Sequence, residues 1–150
     1  MSPFPSFSLI GQPDYAAALR QLTPKAVAGV DTLIIYDADY DFLARVLGAA
    51  GYDDPKLQLH LLEWSPQRGG IDLAGLLRHL AIRRVMLFGQ DAASFGLHFH
   101  VADYFPVAVA GVTYLKAPSA AVISQAKAKG DNGPAGGLWR GVKAAFMKEV

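Results

Sequence analysis

A chain of 150 residues, 52% of them hydrophobic, has the size and apolar content of one domain built around one sizeable core. Cysteine is absent, which excludes disulfides, thiolate metal sites and a cysteine nucleophile and suits a reducing, cytoplasmic setting. Fourteen Lys and Arg against thirteen Asp and Glu leave a net charge of +1, too balanced for a strong nonspecific grip on a polyanion, so contact with nucleic acid is expected to be indirect.

Residues 1–12 mix proline, serine and apolar types without a helix or strand period, and we read them as an arm ahead of a single domain over 13–150. Met1 to Ile10 has neither a basic opening nor a long apolar run, so neither a signal peptide nor a membrane anchor is expected. A short helix is expected from Asp14, a plausible cap, to Leu22, stopped by Thr23-Pro24. Leu33, Ile34 and Ile35 then run without polar alternation, as in a strand buried on both faces. Phe42, Leu43, Val46, Leu47 and Ala50 recur at helical spacing, with Asp39 or Asp41 as cap and Gly51 just past the end.

Leu57 to Leu62 reads as the next strand, after the turn Asp53-Asp54-Pro55 and before the stop Ser65-Pro66. Leu73, Leu76, Leu77 and Leu80 form an i, i+3, i+4, i+7 stripe, and Val85 to Phe88 is another buried strand closed by Gly89. A helical turn near Ala92 to Phe95, a loop to Pro106 and one or two edge strands between Val107 and Leu115 follow. Ser119 to Lys129 can form a helix, and Pro134 suits the first turn of a closing helix whose apolar face holds Leu138, Val142, Ala145 and Phe146. This alternation predicts a three-layer α/β fold: a mostly parallel sheet with helices on both faces.

Asp37-Ala38-Asp39-Tyr40-Asp41 follows a strand, where α/β sheets place Mg²⁺ ligands or a phosphoryl acceptor. The helix that starts there needs the same short acidic residues for its cap and macrodipole, and we favour capping. His98 and His100 have a spacing that can bind a metal, but no third ligand accompanies them. Ser119 is read as a helix cap, since no histidine or nucleophile-elbow glycines attend it. Gly89 is read as a turn residue, and Trp64 and Trp139 as packed aromatics, with Trp139 and Phe146 also able to serve a partner-binding face.

Taken in order, these pieces resemble the uracil-DNA glycosylase fold over about Asp31 to Phe146, most specifically in Lys116-Ala117-Pro118-Ser119 followed by Gly137-Leu138-Trp139. In that family the first strand leads to a water-positioning acid or amide among glycine and proline, and a histidine ahead of the Pro-Ser pair stabilises the departing base. Here Asp37 and Asp39 stand without the glycine and proline, and Ala117 replaces the histidine. Asp37, Asp39, Ala117, Pro118 and Ser119 are thus positions of altered motifs, with no catalytic residue, metal or cofactor expected.

The chain is similar to a small noncatalytic branch of that fold, the psi subunits of the bacterial DNA polymerase III clamp loader. The resemblance implies an accessory subunit of DNA replication that bridges proteins. Its N-terminal arm would bind the clamp-loader collar through Phe4, Phe7, Leu9 and Ile10, and its folded body would bind a chi-like subunit. Four large apolar residues in an unpatterned segment gain little unless something buries them. The rival expectations are an atypical DNA glycosylase using Asp37 or Asp39 to activate water, and a Mg²⁺-dependent phosphatase or nucleotide-binding domain using the same turn.

Overall fold

The computed structural model describes residues 15–22, 30–68 and 70–148; the arm residues Phe4, Phe7, Leu9 and Ile10 and the expected cap Asp14 lie outside the described residues. Five strands form one sheet in the order β2-β1-β3-β5-β4: β1 (Thr32–Tyr36), β2 (His60–Glu63), β3 (Arg84–Phe88), β4 (Val107–Val109) and β5 (Val112–Ala117). The first four in that order pair in parallel, and β4 closes the edge antiparallel to β5. The helices are α1 (Ala16–Gln21), α2 (Tyr40–Ala49), the short α3 (Pro55–Gln58), α4 (Leu73–Leu80), α5 (Ala120–Ala128) and α6 (Gly133–Ala145).

Side chains that alternate along the strands build two cores, one on each side of the sheet. Ile34, Tyr36, Met86, Phe88, Leu115 and Ala117 face Phe42, Leu43 and Leu47 of α2, Ile123 of α5, and Leu138 and Val142 of α6. Leu33, Ile35, Val85, Leu87 and Tyr114 face Ala18 of α1 and the leucine stripe of α4. Each fully buried leucine or isoleucine contributes about 1.5–3 kcal/mol by leaving water. The interior strand β1 is buried along its whole length, which is why its sequence shows no polar alternation.

The expected strand over Leu57 to Leu62 is corrected: Pro55–Gln58 is a helical turn, and the strand is His60–Glu63. Pro55 occupies the first turn, where its missing N–H costs nothing, and the Asp54 N–H donates to Gln58 Oε1 at 2.9 Å. Leu57 consequently points to solvent, 66% exposed. The apolar stretch after Val107 is also more than edge: β5 lies between β3 and β4, and of these two strands of the stretch β4 alone is at an edge. A two-residue turn at Ala110-Gly111, both with positive φ, joins β4 and β5 as a hairpin and gave no Asn-Gly or Asp-Gly signal in the sequence.

At the N-terminal end of the sheet Arg84 gathers several segments. Its Nε donates to Thr32 Oγ1 at 3.0 Å, one terminal nitrogen donates to the Ala145 and Met147 carbonyls at 3.2 Å each, and the other donates to the Tyr52 hydroxyl at 3.1 Å. Asp31 lies 3.7 Å from the guanidinium, and the Tyr52 hydroxyl donates to the Phe146 carbonyl at 3.2 Å. A cation thus satisfies the carbonyls left open at the end of α6, where the helix dipole is negative. Among the described residues no helix is long and apolar enough to cross a membrane.

Candidate functional site

The sheet order reverses between β1 and β3, so the crevice beyond the C-terminal ends of these strands is where an α/β sheet places its ligands. The expected motif positions converge there. β1 delivers Asp37 and Asp39, β3 delivers Gly89 and Gln90, and β5 delivers Ala117, Pro118 and Ser119.

Asp37 and Ser119, 82 residues apart in sequence, meet: the Ser119 hydroxyl donates to Asp37 Oδ1 at 2.9 Å. The same Ser119 oxygen accepts the Ala121 N–H at 3.2 Å and so caps α5. Gly89 makes room for this pair, since a Cβ there would sit 2.6 Å from Asp37 Oδ2, and its φ of +67° disfavours other residues. The reading of Gly89 as a turn residue is therefore extended by a close approach to a carboxylate. Asp39, in the left-handed region at φ +59°, accepts the Phe42 N–H at 3.2 Å and caps α2, which selects it over Asp41.

Ala117 lies beside Phe88 in the sheet register and is 2% exposed, its methyl part of the core under α2, α5 and α6. Gln90 was not singled out by sequence. It is 5% exposed, and its Nε2 donates to the Trp64 carbonyl at 2.8 Å, tying the exit of β3 to the exit of β2. A polar residue just past a buried strand and its closing glycine is the only sequence signal it offered. Trp64 itself is buried, with the Arg68 guanidinium 3.9 Å from its ring centroid, so the packed reading of this aromatic holds.

This end of the sheet is rich in carboxylates: Asp37 and Asp39 after β1, Glu63 closing β2, Asp72 capping α4 and Asp91 capping the turn after β3. The Tyr36 and Tyr40 rings stand 5.9 Å apart beside them. Burial, and then nearby Glu63 for Tyr36 and Asp54 for Tyr40, push both phenols above their ordinary value of 10.0. Both stay neutral donors at physiological pH rather than phenolate bases.

No histidine completes a nucleophilic set with Ser119 and Asp37. His60 opens β2 at the opposite end of the sheet, His79 lies beside Tyr15 on α4 with ring centroids 5.8 Å apart, and His98 and His100 are exposed in the loop before β4. Among the described residues no three His, Asp or Glu side chains cluster as metal ligands. Chemically, the arrangement positions backbone: Asp39, Asp72, Asp91 and Ser119 each accept an N–H at the start of a helix or turn, and Asp37 accepts from Ser119. Compared with known proteins, the chain matches no protein-family model and no curated sequence.

Proposed function

We propose that this chain is a noncatalytic, psi-like accessory subunit of glycosylase-like fold that bridges proteins of a bacterial replicative clamp loader. The observation that carries the noncatalytic half is the Asp37–Ser119 hydrogen bond, which engages one carboxylate oxygen with a hydroxyl that also caps α5. Two further observations support it. Ala117, which stands where the glycosylases keep a histidine, is sealed in the core and has no group to stabilise a departing base. The carboxylates around the crevice oppose a DNA backbone where a flipped base would have to enter.

The bridging half rests on the sequence. Phe4, Phe7, Leu9 and Ile10 are the anchors of an arm that binds the collar, while the folded body engages a chi-like partner. Burial of four such side chains, about 1.5–3 kcal/mol each, offsets the entropy of ordering a short segment.

The test is affinity capture from a bacterial extract with the full chain and with a version lacking residues 1–12, read by mass spectrometry. Clamp-loader subunits recovered only with the intact arm are the expected result. Their absence from both samples overturns the reading, and release of base from uracil-containing DNA, lost in Asp37→Asn, would put the glycosylase in its place.

A further inference from the structure

On the face of the sheet covered by α2, α5 and α6, a notch of about 210 Å³ opens between the helices. Buried Phe42 lies at its base with Val46 beside it, half-buried Trp139 lines it from α6, and exposed Arg45 and Lys127 stand at its rim. The volume falls below the roughly 300–1,000 Å³ of small-molecule and cofactor sites and suits one large apolar side chain.

Charge tells what kind of chain carries that side chain. Among the described residues neither Arg45 nor Lys127 has a carboxylate within ion-pair distance, and the only cation–ring contact of Arg45 is with Phe42 at 5.9 Å. The surrounding segment has the same bias. Residues 118–148 hold Lys127, Lys129, Arg140, Lys143 and Lys148 against Asp131 alone, in a chain whose total charge is +1. Two cations without an ion pair among the described residues, flanking an aromatic slot, complement acidic residues flanking an apolar one. A nucleic acid would need a track of phosphate contacts, and the notch offers a single short slot instead.

We propose that this notch docks an acidic, amphipathic peptide segment of a partner protein. One aromatic or leucine side chain enters between Phe42 and Trp139, and carboxylates before and after it pair with Arg45 and Lys127. The site does not depend on the clamp-loader reading, because it uses none of the arm residues.

The two tryptophans make the test internally controlled, since Trp139 lines the notch and Trp64 belongs to the core on the opposite side of the sheet. The full chain, labelled with fluorotryptophan, is titrated with an acetylated, amidated heptapeptide in which Leu-Phe is flanked on both sides by acidic residues. The expected result is a saturable shift of the Trp139 resonance at sub-millimolar peptide while Trp64 stays still. Affinity should fall by about tenfold or more in R45Q/K127Q, whose unchanged Trp64 signal reports an intact fold, and equally for peptides with Ala for Phe or with amides for the acids. No saturable shift at millimolar peptide, or a shift indifferent to R45Q/K127Q, overturns the proposal. Tighter displacement of the Trp139 signal by oligothymidylate also overturns it and assigns the notch to single-stranded nucleic acid.

Discussion

At one end of the sheet a single guanidinium holds Asp31, Thr32, Tyr52, Ala145 and Met147 together; at the other, four short side chains, Asp39, Asp72, Asp91 and Ser119, each fix one local turn. The first end is built from long-range bonds converging on a charge whose side chain is 15% exposed, and the second mainly from caps that reach two or three residues along the chain. A hub concentrates the cost of its loss in one residue, whereas caps distribute it. The Asp37–Ser119 and Gln90–Trp64 bonds are the exceptions at the second end, since each crosses from one strand exit to another.

The largest effect expected from breaking this contrast is at the hub. Arg84→Met leaves two carbonyls and two hydroxyls to find new partners in a partly buried setting, and a loss of about 3 kcal/mol in denaturant unfolding is expected. A loss within experimental error would show the guanidinium to be an ornament on a sheet held by its cores alone.

Ala117→His puts an imidazole where a methyl fills the gap beside Phe88, at a cost of about 1–3 kcal/mol. The variant is expected to release no base from uracil-containing DNA, because the ring enters the core and not the crevice. Activity in this variant would mean that the crevice is a glycosylase site short of one residue, and would count against the bridging reading.

The smallest effect belongs to a single cap. Ser119→Ala removes both the α5 cap and the link to Asp37, for about 1 kcal/mol, and recovery of partners in the capture experiment should be unchanged. Loss of partners without loss of stability would instead make this end of the sheet an interface.

Much of the frame was legible in the sequence because it depends on local rules. The unbroken run Leu33-Ile34-Ile35 marked a doubly buried strand, the stripe Leu73, Leu76, Leu77, Leu80 marked α4, and Pro134 marked the entry of α6. The motif positions were legible as caps for the same reason: Asp39 and Ser119 act on N–H groups three and two residues away. What escaped was whatever depends on distant parts of the chain.

Nothing near Arg84 in sequence announces bonds to residues 145 and 147, and nothing near Ser119 announces Asp37. The misjudged strand at Leu57 failed differently. Its apolar residues fit a strand window, but Pro55 and the Gln58 side chain favoured a helical turn locally. Tyr104, with φ +73°, packs against α6 at the bare positions Gly137 and Gly141, a close approach that helix periodicity alone does not reveal.

The bond from Tyr52 to the Phe146 carbonyl spans 94 residues, and Arg84 reaches the same stretch of α6 across 61 and 63. Contacts of that sequence separation form late, after the loop-closure entropy has been met by the parallel strands they seal. On a translating ribosome, Arg84 would therefore wait for its carbonyl partners, and the part of the sheet face that α6 covers would stay open, until α6 emerges. In that interval Leu115, which packs at Gly141 of α6, is open to solvent, the kind of apolar surface that chaperones recognise.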